Sequence, residues 1–183
     1  MFATMIRRQI QSFETTWDYD ATYLHELLDI GLKPMWVFHQ ATGLGSYRDG
    51  VPPGPWFAAK LVSAKREDCG PCVQLAARMA QEGGLAPAHI GAVLAHRFEE
   101  LPDDVALGAR FTEAVLTRSP DADALREQVV ASFGRRGLVS LAFAMLSARL
   151  YPDLKFALGH GHACSMVVLD EEVLWTPAME AAG

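Results

Sequence analysis

Cysteine is scarce in this chain, with 3 among 183 residues. Three cysteines cannot build the disulfide framework that holds many small secreted domains together. Two of them belong to the run Cys69-Gly70-Pro71-Cys72, and the third, Cys164, stands alone far downstream. In a cytosolic chain, a pair with this spacing is more often redox-active or metal-binding than a structural crosslink. The pair is therefore the leading candidate for a functional site.

Concentrated positive charge is also missing. The net charge is −6, and most basic residues are scattered. Nucleic-acid binding needs a basic patch or stripe, so we expect no nucleic-acid partner. Isolated basic pairs are typical of solvated helix faces; they are Arg7-Arg8, Lys65-Arg66 and Arg135-Arg136.

Long apolar runs are absent as well. The most apolar stretch, Leu138–Leu150, is shorter than the ~20 residues that cross a bilayer, and it includes Ser140 and Arg149. No apolar signal core follows Arg7-Arg8 near the N-terminus. We therefore expect a cytoplasmic protein without membrane association, in a compartment that keeps thiols reduced.

Strand-like alternation is nearly absent, whereas apolar residues at helical spacing cover most of the chain. This pattern predicts an all-α single domain over residues 1–183, a helical bundle of roughly eight helices. Residues 1–19 form an N-terminal helix and residues 160–183 a tail, both as extensions of the main body. The exception to the helical pattern is a possible small hairpin made by Met166–Leu169 and Val173–Trp175.

Proline and glycine mark the expected helix boundaries. The segment Gly43–Pro55, rich in both, predicts the longest irregular stretch inside the chain, a kind of loop that is often functional. Pro55 is suited to the first turn of the next helix, and Asp68 to the N-cap of the one that follows. The last long helix, Leu138–Leu150, is expected to stop at Tyr151-Pro152.

The cysteine pair is expected at the start of a helix, where its chemistry is favoured. Cysteines at positions i and i+3 share one helix face and are close enough to form a disulfide if the first turn opens slightly. Unpaired N–H groups and the positive end of the helix dipole favour the thiolate. Proline in the first turn loses no helical hydrogen bond, and Gly70 leaves room beside the sulfurs. The spacing thus supplies an attacking thiolate and a resolving thiol.

Two other assignments are possible for these residues. A zinc site would need further ligands, and the nearest candidates are His160, His162 and Cys164, although this spacing is not that of a usual zinc finger. Glu67, just before the pair, either interacts with the helix dipole or transfers a proton to or from a cysteine sulfur. These alternatives predict a metal-binding module and a proton-transfer role, respectively.

The sequence around the pair resembles a known family. The run Glu67-Asp68-Cys69-Gly70-Pro71-Cys72-Val73-Gln74-Leu75, the following Gly83-Gly84-Leu85 and the helix Leu141–Lys155 are similar to the alkylhydroperoxidase D-like group. This group belongs to the carboxymuconolactone decarboxylase-like superfamily, and the resemblance covers about residues 20–160. It implies an all-α fold assembled into homo-oligomers, trimers or hexamers, whose two cysteines reduce a peroxide or a partner disulfide.

The resemblance also implies a proton relay, which this sequence lacks. In peroxidase members, a histidine four residues after the second cysteine and a glutamate about twelve before the first carry protons. Ala76 and Phe57 stand at these positions here, and neither side chain transfers a proton. Members that are decarboxylases lack the cysteine pair, so the resemblance favours redox chemistry. Thioredoxins share Cys-Gly-Pro-Cys but place it after a strand, whereas helical spacing precedes Cys69 here.

The sequence therefore predicts a thiol–disulfide oxidoreductase or hydroperoxide reductase with Cys69, Cys72 and Glu67 as its catalytic residues. It requires no bound cofactor or metal, but it does require a hydroperoxide or disulfide substrate and a thiol reductant. The residues do not decide which cysteine is the nucleophile: the helix dipole favours Cys69, and the family resemblance favours Cys72. The alternatives are a non-catalytic helical oligomer that acts as a scaffold or binding protein, and the metal-binding module.

Overall fold

Helices dominate the computed structural model, which describes residues 2–161 and 166–176. The described residues form eight α-helices, two short 3-10 turns and one two-stranded hairpin, so the expectation of an almost entirely helical chain is confirmed. The helices are α1 (Phe2–Trp17), α2 (Thr22–Ile30), α3 (Leu32–Thr42), α4 (Pro53–Arg66), α5 (Gly70–Glu82), α6 (Pro87–Leu94), α7 (Asp103–Thr117) and α8 (Ala122–Ala157). The 3-10 turns are Gly43–Ser46 and Phe98–Glu100, and the strands are β1 (Val167–Leu169) and β2 (Glu172–Trp175).

Helix α4 is the centre of the fold, because it contacts α5, α6, α7 and α8. Its small residues Ala58 and Ala59 are fully buried and let the neighbouring helices approach closely. Helix α7 approaches α4 closely at Gly108, where an added Cβ would lie 2.8 Å from the Cα of Pro55. Only glycine leaves room for this approach. The side chains of α4 are consequently held on a rigid, well-packed helix.

Helices α1 to α3 form a second packing unit with its own apolar cluster. Tyr23, Leu28 and Met35 are buried in this cluster, and Leu75 of α5 and Leu154 of α8 pack against it. The unit therefore covers the start of α5 and the end of α8. This arrangement carries the segment between α1 and α2 to the cysteine pair.

Helix α8 differs from its sequence-based prediction. The helix is interrupted at Gly134, whose φ of 69° and ψ of 178° are not helical. The expected stop at Tyr151-Pro152 is wrong, since the helix continues through the buried Pro152 to Ala157. Proline inside a helix removes one hydrogen bond and costs about 3 kcal/mol. Packing of Leu154 against the α1–α3 cluster favours continuation of the helix.

The segment expected to be a long loop is mostly ordered. A 3-10 turn occupies Gly43–Ser46 and α4 begins at Pro53, which leaves only residues 47–52 irregular. The hydroxyl of Ser140 binds both the N–H of Asp49 at 2.8 Å and its carbonyl at 2.9 Å. These bonds fix the short connection to α8, so the glycines and prolines of this stretch shape turns and a helix start.

The tail contains the hairpin that its sequence suggested. β1 and β2 pair antiparallel, and Val167 and Leu169 are buried in the main core. The side chain of Gln74 on α5 accepts from the N–H of Val168 at 2.7 Å and donates to its carbonyl at 2.9 Å. The tail thus contributes to the core around α5. The predicted ligands His162 and Cys164 lie outside the described residues.

One of the described helices, α8, is long and apolar enough to cross a membrane by length and composition. A core helix of a soluble protein meets the same criteria. Here α8 contacts α4 and α7, and it buries Val129, Leu141 and Ala144 in the core.

Candidate active site

The two cysteines begin helix α5, as their spacing predicts. Cys69 is the N-cap residue, with φ −100° and ψ 92°, and its carbonyl accepts from the N–H of Val73 at 2.9 Å. Pro71 lies in the first turn, where it needs no hydrogen-bond acceptor for a backbone N–H. The prediction of Asp68 as the N-cap is wrong: Asp68 lies one residue before it, with a left-handed φ of 49°. The cysteines are not joined by a disulfide, and both are buried, 5% and 6% exposed.

The two sulfurs have different surroundings. Cys72 lies in the wall of a cavity of about 300 Å³, whereas Cys69 does not. The cavity is the space between α4, α5, the Gly43–Ser46 turn and the end of α8. Its lining is mainly apolar, with one cation and several hydroxyls: Phe13, Tyr19, Thr42, Gly45, Ser46, Phe57, Lys60, Ala64, Cys72, Leu75, Ala76, Met79, Ser147, Ala148 and Tyr151. A substrate in this cavity would contact Cys72 first.

A buried tyrosine contacts the sulfur of Cys72. The hydroxyl of Tyr19 lies 3.6 Å from Cys72 Sγ and 3.3 Å from the hydroxyl of Tyr23. Arg78 on α5 holds the segment that carries Tyr19, since its guanidinium pairs with Asp18 at 3.2 Å and donates to the carbonyl of Trp17. The two hydroxyls form a short hydrogen-bonded chain that ends at the sulfur.

A buried cation lies behind the tyrosines. Lys155 is only 2% exposed, and its Nζ lies 5.0 Å from the ring centroid of Tyr19 and 5.5 Å from that of Tyr23. Both rings offer their π-electrons to the ammonium group. The residue reaches this place because α8 continues past Pro152. The positive charge favours the thiolate at both cysteines.

The pKa values of the two thiols differ strongly. The pKa of Cys69 is lowered to about 7, chiefly by hydrogen bonding with the Cys72 side chain, and further by the Cys72 backbone N–H and the charge of Lys155. Burial and Asp68 oppose this lowering. The pKa of Cys72 is raised by its hydrogen bond with Cys69, by burial and by the negative charge on Cys69. Above about pH 7 the pair therefore holds mainly one proton, on Cys72.

Glu67 has a partner elsewhere. Its carboxylate forms an ion pair with the guanidinium of Arg149 on α8, and its side chain is largely buried. Glu67 does not line the cavity that contains Cys72. The structure thus brings Cys69 and Cys72 together at the site and places Glu67 at the junction of α4 and α8.

The two positions of the expected proton relay do face the cavity. Ala76 lies four residues after Cys72, and it lines the cavity together with Phe57 of α4. Phe57 is packed tightly, since an added Cβ at Gly83 would lie 2.0 Å from its ring. The wall next to Cys72 is therefore apolar where the family resemblance implies an acid and a base.

A second cation lies in the cavity wall. Nζ of Lys60 donates to the carbonyl of Gly45 at 2.7 Å and lies 3.6 Å from the ring centroid of Trp56. Burial lowers the pKa of Lys60 to about 8. The ammonium group of Lys60 is thus held at the cavity in a poorly solvated position.

Metal ligands are not assembled among residues 2–161 and 166–176. No cluster there combines three or more histidine, cysteine, aspartate or glutamate residues. The ring of His160 binds Glu26 at 2.7 Å. The metal alternative also invoked His162 and Cys164, which lie outside the described residues.

Four residues of the site escaped the sequence analysis: Tyr19, Tyr23, Lys60 and Lys155. A signal was present for Lys155, which shares a helix face with Tyr151 four residues earlier. Lysine at such a position is unusual unless it is paired or functional. For Tyr19 the signal is absent, because its contact with Cys72 joins residues 53 positions apart.

Comparisons with known proteins give no relative. No model of a protein family, no curated protein and no solved structure matches this chain.

Proposed function

We propose that this protein is a dithiol hydroperoxide reductase or thiol–disulfide oxidoreductase of the alkylhydroperoxidase D-like type. The observation that carries the proposal is the asymmetric cysteine pair. Cys72 is a thiol in the wall of an apolar cavity, and Cys69 behind it has a pKa of about 7. A buried pair that shares one proton supplies both a nucleophile and a base.

The reaction begins with the pair in its singly protonated form. Cys72 passes its proton to the Cys69 thiolate and attacks the distal oxygen of the hydroperoxide, which forms a sulfenic acid as the O–O bond breaks. The alkoxide takes this proton from the Cys69 thiol, which restores the Cys69 thiolate, and leaves as an alcohol. The Cys69 thiolate then attacks the Cys72 sulfur, which forms the disulfide and releases hydroxide. A thiol reductant restores the dithiol by exchange.

The surrounding groups assist this sequence. The Tyr19 hydroxyl lies within hydrogen-bond reach of Cys72 Sγ, so it is placed to donate to the thiolate that forms there. The charge of Lys155 favours an anion on either sulfur. With Ala76 and Phe57 at the relay positions, the proton is exchanged within the cysteine pair itself, and we propose slower turnover than in members with the relay.

Disulfide formation tests the function directly. We expect one equivalent of cumene hydroperoxide to remove two thiols together from the reduced Cys164→Ser variant, giving one intramolecular Cys69–Cys72 disulfide. Peptide mass spectrometry identifies the linkage, and thiol titration follows its rate. A Cys164→Ser, Cys69→Ser, Cys72→Ser triple variant controls for non-specific oxidation. If the two cysteines are oxidised no faster than the cysteine of a free peptide, the proposed function is wrong.

We also propose that the chain assembles into a homo-oligomer, a trimer or a hexamer. Helix α8 exposes Val139, Leu146 and Phe156, although other residues of the same helix are buried in the core. Val139 and Leu146 are seven residues apart and therefore share one face of α8, and a contiguous exposed apolar surface is typical of association sites. Light scattering on the purified protein is expected to give at least three times the chain mass of 20.0 kDa. A Val139→Glu, Leu146→Glu variant should shift it towards the monomer, and a monomeric wild-type protein would contradict the assembly.

Two further proposals concern the setting. Because the dithiol needs reduction after each turnover, we propose a cytoplasmic location and a cellular thiol as reductant. No bound cofactor enters the proposed reaction, because all electrons come from the two cysteines.

A further inference from the structure

The cavity contains a charge that the proposed redox reaction does not use. Lys60 carries an ammonium group in its wall, on the helix α4 that forms the centre of the fold. One N–H of this group binds the carbonyl of Gly45, and the ring of Trp56 lies under the nitrogen. Its position is fixed by these two contacts. The charge is therefore a built feature of the cavity.

Within residues 2–161 and 166–176, no carboxylate lies within ion-pair distance of Lys60. The other N–H groups of Lys60 make no hydrogen bond to any residue that the structure describes. Burying an uncompensated charge is costly, and an anionic ligand would offset that cost. The low pKa of Lys60, about 8, reflects this poor solvation.

The serine and threonine hydroxyls in the cavity wall do not compete for this role. The hydroxyl hydrogens of Thr42, Ser46 and Ser147 are donated to backbone carbonyls, at 3.0, 2.8 and 3.0 Å. These oxygens therefore present lone pairs to the cavity, which do not attract an anion. Lys60 is thus the cationic donor that the wall offers to an anionic group, beside the hydroxyls of Tyr19 and Tyr151.

The rest of the wall favours an apolar body. Phe13, Phe57, Leu75 and Met79 line the same cavity as Lys60 and Cys72. Its volume of about 300 Å³ is at the lower end of the usual range for small-molecule sites. A small apolar chain with one polar end fits both the size and the chemistry.

We propose that the cavity binds an aliphatic carboxylate whose carboxyl group contacts Lys60, and that the substrate is such a molecule with a hydroperoxide group at Cys72. The proposed binding of a carboxylate depends on the cavity alone. The proposed hydroperoxide substrate rests on the proposed function. Reduction of this substrate follows the steps above: Cys72 takes the distal oxygen, the alcohol leaves, and Cys69 closes the disulfide. Lys60 binds the carboxylate and takes no part in electron transfer.

Binding of a non-reactive probe tests the proposed carboxylate site. We expect octanoate to bind the wild-type protein at least about tenfold more tightly than octanamide, because a charge-assisted hydrogen bond is lost with the amide. Isothermal titration calorimetry measures both ligands. Lys60→Met should remove this preference, and Lys60→Arg should keep it.

Lys65 provides the matched control for the Lys60→Met variant. Lys65 lies on the same helix, donates to the carbonyl of Leu94 at 2.7 Å, and does not line the cavity. Lys65→Met should retain the preference for octanoate. Equal affinity of the wild-type protein for octanoate and octanamide overturns the proposal, whatever the variants do. A folded Lys60→Met protein that keeps the preference overturns it too.

Turnover tests the proposed hydroperoxide substrate. We expect kcat/KM for 8-hydroperoxyoctanoate, which matches the size of the cavity, to exceed that for its methyl ester by about tenfold or more, and this ratio to fall towards one in Lys60→Met. If neither hydroperoxide is reduced while octanoate binds through Lys60, the proposed function fails and the anion site stands. If the ester is reduced as well as the acid, the anion site fails as a substrate determinant and the redox function stands.

Discussion

Replacement of Cys72 by serine is expected to abolish hydroperoxide reduction, with a loss of at least about 10³-fold in kcat/KM. Cys72 is the cysteine in the cavity wall, and its sulfur is the one next to the Tyr19 hydroxyl. Cys69 does not line the cavity, so its thiolate is not placed to meet the substrate. The measurement is the rate of cumene hydroperoxide consumption with excess dithiothreitol.

The Cys69→Ser variant separates attack from resolution. Without Cys69, Cys72 loses its base and reacts more slowly, but the sulfenic acid that forms on it has no thiol within reach to form a disulfide, so it is expected to accumulate. Trapping with dimedone followed by mass spectrometry should label Cys72 in Cys69→Ser and leave Cys69 unlabelled in Cys72→Ser. Both measurements use the Cys164→Ser background to avoid a third thiol.

The reverse labelling would change the assignment. If Cys69 in the Cys72→Ser variant formed the sulfenic acid at the wild-type rate, its low pKa rather than its position would decide the nucleophile. That result would show that Cys72 is not the nucleophile, but the protein would still be a redox dithiol. Absence of label in both variants would argue against hydroperoxide chemistry altogether.

The cysteine pair illustrates which part of the site the sequence can predict. A helix start is encoded locally, by Pro71 in the first turn and by apolar spacing after it. The thiolate-stabilising environment of Cys69 depends largely on Cys72, three residues away, so the direction of its pKa change was within reach of local reasoning. Glu67 is adjacent in sequence yet pairs with Arg149, because its side chain lies at the junction of α4 and α8.

The walls of the cavity could not be predicted in the same way. Phe13, Lys60 and Tyr151 meet there because three helices from distant parts of the chain converge. Helical spacing identifies the buried face of each helix but does not tell which helices face each other. Lys60 stands between apolar neighbours on α4, and its spacing alone does not reveal a cavity.

The end of α8 shows how packing overrides a local signal. Proline usually ends a helix, and Tyr151-Pro152 was expected to do so. The turns on either side of Pro152 pack on the α1–α3 cluster through Tyr151 and Leu154, which favours continuation of the helix. The consequence is functional, since only a helix that continues brings Lys155 to the tyrosines beside the cysteine pair.

Removal of the charge on Lys155 is therefore expected to raise the pKa of Cys69 above about 7. The ammonium group favours the thiolate, so its loss in Lys155→Met favours the thiol and the thiolate fraction at neutral pH falls. We expect alkylation of Cys69 by iodoacetamide at neutral pH to slow by about three- to tenfold, with the rate recovering at alkaline pH. The pH profile of the rate in the Cys164→Ser background gives the pKa directly.

Two variants make this result specific. Lys155→Arg keeps the positive charge and should keep the pKa of Cys69 near its wild-type value, whereas Lys65→Met removes a lysine that does not line the cavity. Because a buried methionine avoids the desolvation cost of an ammonium group, Lys155→Met is expected to fold, and circular dichroism checks this. A folded Lys155→Met protein with an unchanged pH profile would show that Cys72 and the helix N-terminus alone hold the pKa of Cys69 down. If the pKa of Cys69 rises in Lys155→Met and returns in Lys155→Arg, the positive charge of Lys155 is what lowers it.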